Sequence, residues 1–104
     1  MKSKSSTIIR RGLLVPVHPG RILRREMEAR GLSALALALS LRVPANRISE
    51  IIKGRRSVSA ETALRLGYYF QTGPELWTQL QMNYDLAMAE REHGKTIRRE
   101  VQAA

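Results

Sequence analysis

Cysteine is absent from the 104 residues, aromatic side chains make up 5% of them, and acidic residues are half as numerous as basic ones. The lack of cysteine excludes a disulfide framework and a thiolate metal site. No apolar run approaches the ~20 residues of a membrane span, and the run at residues 13–15 is too short for a signal-peptide core. We therefore expect a cytoplasmic protein without a membrane segment.

The composition is that of a globular chain, with 43% hydrophobic and 26% charged residues. A chain of 104 residues has the length of one domain. At this size apolar burial only just offsets chain entropy, so a partner subunit is a reasonable expectation.

The charge is strongly positive, because eighteen Lys and Arg stand against nine Asp and Glu, a net +9. This balance favours a polyanionic partner, either nucleic acid or an anionic membrane. The excess lies in residues 1–60, whereas residues 61–90 carry one basic and four acidic side chains. The uneven distribution predicts two surfaces with different roles.

The sequence predicts a flexible basic arm at residues 1–17, a helical domain at residues 18–93 and a tail at residues 94–104. Proline and glycine positions, serine caps and apolar spacing predict five helices within the domain. The first opens at His18-Pro19-Gly20 and ends at Gly31, and the second is capped by Ser33. The third runs from Pro44, at its first position, to Lys53, the fourth from Ser59 to Phe70, and the fifth from Pro74 until it frays before Gly94.

The second helix carries an ambiguous pattern, because four leucines at positions 35, 37, 39 and 41 alternate with small residues. We predict a helix, since Ala and Leu are strong helix formers and no β-branched residue lies between Ser33 and Leu41. The predicted fold class is therefore all-α.

Two short helices joined by about three residues, at positions 41–43, are typical of a helix-turn-helix. In the second of them Ile48, Ile51 and Ile52 form one apolar stripe, which would be buried. The opposite side would present short polar side chains to base edges in the major groove. The predicted base contacts are Ala45, Asn46, Arg47 and Ser49.

The residues that follow this helix predict phosphate contacts, made by Lys53, Arg55 and Arg56. Ser33 joins this set, because the free N–H groups of a helix start also bind phosphate. Glu50 would either accept a hydrogen bond from cytosine or restrain a neighbouring arginine, and we favour the restraint.

An ordered series of short motifs then resembles a known family. It comprises His18-Pro19-Gly20-Arg21-Ile22-Leu23, Gly31-Leu32-Ser33, residues 43–56, Thr62-Ala63-Leu64-Arg65-Leu66, Pro74-Glu75-Leu76-Trp77 and residues 81–86. The series resembles the HigA/VapI-type antitoxins of the xenobiotic-response-element (Cro/C1-type) helix-turn-helix group. The resemblance implies a lambda-repressor-like domain that forms a homodimer on a palindromic operator, represses its own operon and binds a HigB/RelE-like mRNA-cleaving toxin.

The fifth helix is the predicted interface with a second copy or with a toxin. The aromatic residues, which fall between Tyr68 and Tyr84, are predicted to pack between helices four and five, with some surface shared with a second subunit. The acidic flank would suit a basic toxin. The candidate interface residues are Trp77, Leu80, Tyr84, Met88, Glu75 and Asp85.

One position departs from the family pattern. Many members of the wider group place Gln directly after the serine that starts the second helix, where it contacts phosphate or base, and this chain has Ala34. Either DNA binding would then depend more on the third helix and the basic arm, or the chain would be a degenerate member of the group with weak DNA affinity.

Two alternatives stay open, a stand-alone phage-type repressor without a toxin and a basic membrane-surface protein. No carboxylate pair, Ser-His-Asp order or phosphate-binding glycine loop supports an enzyme. His18 and His93 are isolated, so we predict no metal site and no cofactor.

Overall fold

The computed structural model describes residues 16–104, so the predicted arm lies outside it up to residue 15. Residues 16–104 form five α helices and no strand, which confirms the predicted all-α class. The helices are α1 (Pro19–Ala29), α2 (Ala34–Leu41), α3 (Ala45–Ile52), α4 (Ala60–Phe70) and α5 (Pro74–Glu100).

Side-chain caps begin three of these helices, because the first N–H groups of a helix lack backbone partners. His18 Nδ1 accepts the Gly20 N–H at 2.9 Å, and Ser33 Oγ accepts the Ala36 N–H at 3.1 Å. Ser59 Oγ accepts the Thr62 N–H at 3.2 Å. The predicted starts at residues 18, 33 and 59 are confirmed.

The predicted place of Pro44 is wrong by one residue. Pro44 has φ −60° and ψ 145°, so it precedes α3 in extended conformation, and its carbonyl accepts the Arg47 N–H at 3.0 Å. Lys53 correspondingly follows the last helical residue. Gly54 has φ +75°, which confirms it as the left-handed residue that ends α3.

The predicted end of the fifth helix is also wrong, because α5 continues through Gly94 to Glu100. Glu90 and Arg98 form an ion pair across the glycine, and their side chains bury it. Arg98 and Arg99 in the last turn also interact favourably with the helix dipole. These contacts offset the low helix propensity of a single glycine.

The hydrophobic core joins α1–α4 to the first half of α5. Its largest completely buried apolar side chains are Trp77, Leu23, Leu37, Ile48, Ile51 and Leu66. Leu37 and Leu41 of α2 are buried whereas Leu35 and Leu39 are exposed, so the leucine alternation is resolved as a helix with one face in the core.

Gly20 sets the distance between α1 and α3. A Cβ atom at this position would lie 1.8 Å from the Ile51 carbonyl oxygen, so only glycine allows the two backbones to approach this closely. This close approach lets α3 pack directly on α1, and the buried side chains of Ile48 and Ile51 anchor α3 to the core. Both constraints hold the opposite side of α3 at the surface.

Candidate nucleic-acid interface

The turn between α2 and α3 is built by residues 42–44. Arg42 takes a left-handed conformation, with φ 61° and ψ 45°, and the Val43 N–H donates to the Ala38 carbonyl at 3.0 Å. Arg65 of α4 donates from Nη1 to the Leu41 carbonyl at 2.9 Å. This bond satisfies a free carbonyl at the end of α2 and ties the turn to α4.

The roles of Arg42 and Arg65 in shaping this turn were not predicted from the sequence. A left-handed arginine carries no local signal, because glycine or asparagine is expected at such a position. The role of Arg65 depends on a contact across 24 residues of sequence, which no spacing rule detects.

The four predicted base-contact residues come together at the exposed side of α3. Ala45 and Asn46 are exposed, and Arg47 and Ser49 are half-buried. Ser49 Oγ donates to the Asn46 carbonyl at 3.1 Å, so its proton is used inside the helix and its oxygen remains an acceptor. The Asn46 amide has two N–H donors and one acceptor oxygen, so it can both donate to and accept from a base edge.

The predicted phosphate contacts also lie at the surface. Ser33 is exposed at the start of α2, and Lys53, Arg55 and Arg56 are exposed in the segment that leaves α3. We name this segment, residues 53–56, the basic loop. Within residues 16–104 Lys53 and Arg55 form no ion pair, so their charges are available to an anion.

Glu50 restrains the basic loop, as favoured from the sequence. Its carboxylate lies 2.8 Å from Arg56 Nε, and its backbone carbonyl accepts the Arg55 N–H at 2.8 Å. Both side chains of the pair stay partly exposed, 45% for Arg56 and 38% for Glu50, so the pair adds little stability by itself. Its main effect is to hold one arginine in a fixed position next to α3.

Ala34, the position that departs from the family pattern, is the first residue of α2 and packs half-buried against the core. Its methyl group has no hydrogen-bonding capacity, so the start of α2 offers only backbone N–H groups and Ser33 to a phosphate.

Trp77 was predicted at an interface, and this prediction is wrong for the chain described. Its side chain is 0% exposed, packs on Phe70 with ring centroids 5.9 Å apart, and donates from Nε1 to Thr72 Oγ1 at 3.1 Å. The indole is therefore a core element between α4 and α5. The prediction that the aromatic residues pack between these helices is confirmed for Trp77 and Phe70 and wrong for Tyr68, which is 81% exposed.

The other predicted interface residues divide into two groups. Leu80, Tyr84 and Met88 are half-buried, and Leu80 packs against the core. Glu75 and Asp85 are exposed, and Asp85 Oδ1 accepts from Gln81 Nε2 at 2.9 Å. Of the six predicted interface residues, only Glu75 and Asp85 are thus exposed.

An apolar groove lies beside the predicted interface and was not found from the sequence. We name it the α4–α5 groove, and it is lined by Leu64, Gly67, Tyr68, Gln71, Gly73 and Pro74. Tyr68 is 81% exposed and Leu64 47% exposed, although both are large and apolar. The lining carries no charged side chain, in contrast to the basic surface of α3 and the loop.

Among residues 16–104 no helix combines the length and the hydropathy that a membrane crossing requires.

Comparisons with known proteins support the helix-turn-helix arrangement of α2 and α3. The family model described as Helix-turn-helix matches residues 23–77. Virulence-associated protein I of Dichelobacter nodosus is 48% identical over 77 residues, which are 73% of this chain and 71% of that protein.

Two solved structures extend the similarity over most of the chain. An addiction module antidote protein of a HigA family from Coxiella burnetii superposes with a TM-score of 0.85 and 44% identity, covering 88% of this chain and 100% of that one. The Pseudomonas aeruginosa antitoxin HigA, solved with the higBA promoter, superposes with a TM-score of 0.82 and 42% identity, covering 85% and 97%.

Proposed function

Since the chain belongs to the helix-turn-helix family and, within it, to the HigA/VapI-type group, we propose that it is a sequence-specific DNA-binding repressor. The observation that carries this proposal is the placement of α3. The buried side chains of Ile48 and Ile51 hold the helix on the core, whereas Asn46 in its first turn is exposed. The basic loop follows the helix directly. A helix of this kind fits the major groove with its N-terminal residues on base edges.

The residues of this surface take separate roles in the proposed complex. Asn46 would pair with adenine and Arg47 with guanine, each worth about 1–3 kcal/mol of discrimination. Ala45 and Ser49 would lie on neighbouring base edges. Ser33 and the basic loop, with Lys53, Arg55 and Arg56, would bind phosphates and set the register of the helix in the groove.

A homodimer would place two copies of α3 in successive major grooves, about 34 Å apart, on a palindromic operator. The α4–α5 groove is the surface that we assign to the contact between copies. Its lining has no charged side chain, so it adds no charge repulsion of its own between two copies of a chain of net charge +9. Leu80, Tyr84 and Met88, which the sequence also predicted at this interface, are half-buried within one chain.

The proposed antitoxin activity is supported by the similarity to HigA antitoxins. The chain would bind and neutralise a HigB/RelE-like toxin that cleaves mRNA, and would repress the operon that encodes both proteins. Glu75 and Asp85 are the exposed acidic groups that we assign to a basic toxin. Both lie on α5 rather than on α3.

A mobility-shift titration with a duplex from the region upstream of the chain's own gene tests the proposal. We expect binding to that duplex to survive an excess of a scrambled duplex of the same composition. Equal binding to both duplexes would contradict a sequence-specific repressor. Co-expression with the neighbouring reading frame tests the second activity, and a chain that binds its operator without a co-purifying toxin would be a stand-alone repressor.

A further inference from the structure

A glutamine of α5 bonds to the segment that connects α3 to α4. Gln81 is 7% exposed, and burial of its polar amide costs free energy unless the amide is hydrogen-bonded. Its Oε1 accepts the Val58 N–H at 2.8 Å, across 23 residues of sequence. This hydrogen bond is buried, since Val58 is itself 4% exposed. Gln81 thus supplies the acceptor that a buried backbone donor requires.

The orientation of the Gln81 amide is determined at both of its ends. The Val58 N–H can only donate, so Oε1 has to face it. Nε2 then donates to Asp85 Oδ1 at 2.9 Å, one turn further along α5. An ionised carboxylate only accepts, so a rotated amide would face donor with donor at one end and oxygen with oxygen at the other. Asp85 therefore holds the amide in the orientation that Val58 needs.

The basic loop lies beside two hydrogen bonds that hold its backbone from different helices. The Arg55 N–H donates to the Glu50 carbonyl of α3 at 2.8 Å. The Val58 N–H donates to Gln81 of α5. Two residues separate the two donors, and the first of them is Arg56. The backbone that carries two predicted phosphate-binding arginines is thus fixed on one side by α3 and on the other by α5.

We propose that Gln81 is a positioning residue for DNA binding, because its amide fixes the backbone that presents Arg55 and Arg56 to phosphates. This proposal rests on the DNA-binding function proposed above. The buried Val58 side chain keeps the segment at the core, whereas the hydrogen bond fixes the rotation of its peptide plane. Without Gln81 the Val58 N–H would be a buried donor without a partner, and the segment would move until water reached it.

The variant Gln81→Met removes the amide and keeps an unbranched side chain of similar length. Every cation of the basic loop remains, so the slope of log K against log salt should stay that of the wild type. The loop would become ordered only on binding, and we expect affinity to fall about three- to tenfold, the effect of one lost hydrogen bond. Operator and scrambled duplex should lose the same factor, because phosphate contacts carry no sequence information.

Two controls separate positioning from the general effect of a lost hydrogen bond. Gln79→Met changes the same residue type on the exposed side of α5, where Gln79 Nε2 donates to Asn83 Oδ1 at 3.0 Å. Thr72→Val removes the acceptor of Trp77 Nε1 at the opposite end of α4 from the basic loop. Thr72→Val should lower the free energy of unfolding in a denaturant titration, yet both controls should bind DNA like the wild type.

The affinities are compared at a temperature at which circular dichroism shows all variants folded. Wild-type affinity in Gln81→Met would overturn the proposal. An equal loss in Gln81→Met and Thr72→Val would do so as well, and Gln81 would then stabilise the core without positioning the loop.

Amide exchange without DNA separates this proposal from the function on which it rests. In the free wild type the Val58 N–H should be as protected as the amides of the core, and fast exchange there would refute the proposal without any variant. In Gln81→Met the Arg55 N–H should also exchange faster, whereas in Gln79→Met it should not; an unchanged rate in Gln81→Met would refute the link to the loop. If the wild type shows no operator preference, the repressor proposal fails, and exchange alone decides the role of Gln81.

Discussion

Replacing Arg56 with alanine removes one cation from the basic loop and at the same time releases the carboxylate of Glu50. The two side chains are 2.8 Å apart in the free protein, and the carboxylate is 38% exposed. In Arg56→Ala this negative charge would face the DNA backbone without its partner. Arg55→Ala removes a cation of the same loop but leaves the Glu50–Arg56 pair intact, so it is the matched control.

The expected size of the effect has two parts. One phosphate contact contributes about 0.9 to the slope of log K against log salt. When the salt concentration rises from about 50 to about 200 mM, each single variant should therefore lose about three- to fourfold less affinity than the wild type loses. A bare carboxylate about 8 Å from a phosphate adds about 0.5 kcal/mol of repulsion in water, roughly a further twofold loss for Arg56→Ala alone. The double variant Arg56→Ala, Glu50→Gln should recover this second part.

Fluorescence anisotropy with a labelled operator duplex, measured over a salt series, gives both quantities. Equal affinities for Arg55→Ala and Arg56→Ala, together with no recovery from Glu50→Gln, would refute the assigned role of the carboxylate. Salt slopes like that of the wild type in both variants would refute phosphate contact by the loop.

Three further changes test other parts of the structure. Asn46→Ala should lose about 1–3 kcal/mol of preference for operator over scrambled duplex while binding the scrambled duplex as before, and a uniform loss on both would contradict its base-reading role. Gly20→Ala places a methyl group on the Ile51 carbonyl and should lower the free energy of unfolding by about 1–3 kcal/mol, measured by denaturant titration; an unchanged midpoint would argue against the close packing of α1 on α3. Tyr68→Glu should shift the chain to monomer in light scattering while its circular-dichroism spectrum stays that of a folded helical chain, and a persistent dimer would exclude the α4–α5 groove as the contact.

The parts of the fold that sequence reasoning predicted are those specified by local interactions. The caps at Ser33 and Ser59 and the left-handed Gly54 depend on residues within one or two turns, and all three are confirmed. The buried stripe of α3 follows from helical periodicity, with Ile52 only half-buried. The resemblance to HigA/VapI-type proteins is confirmed by the comparisons.

The parts that were missed depend on contacts between distant residues. Gly94 predicts a helix end by local rules, whereas in the structure α5 continues through it and the pair of Glu90 with Arg98 spans it. Trp77 lies on the apolar stripe of its helix, but periodicity does not tell whether a stripe meets the chain's own core or another subunit. The bond from Arg65 to the end of α2 and the edge-to-face contact of the His18 and Tyr84 rings likewise exist only once the helices have packed.

The attachment of the basic loop has a consequence for how such proteins diversify. The loop is secured by Glu50, which does not belong to the four outward positions of α3. Those positions are thus free to change without disturbing the grip on the sugar-phosphate backbone. Duplicated genes could acquire new target sites by altering three or four codons, and paralogues in one cell would avoid cross-regulation while sharing a common scaffold.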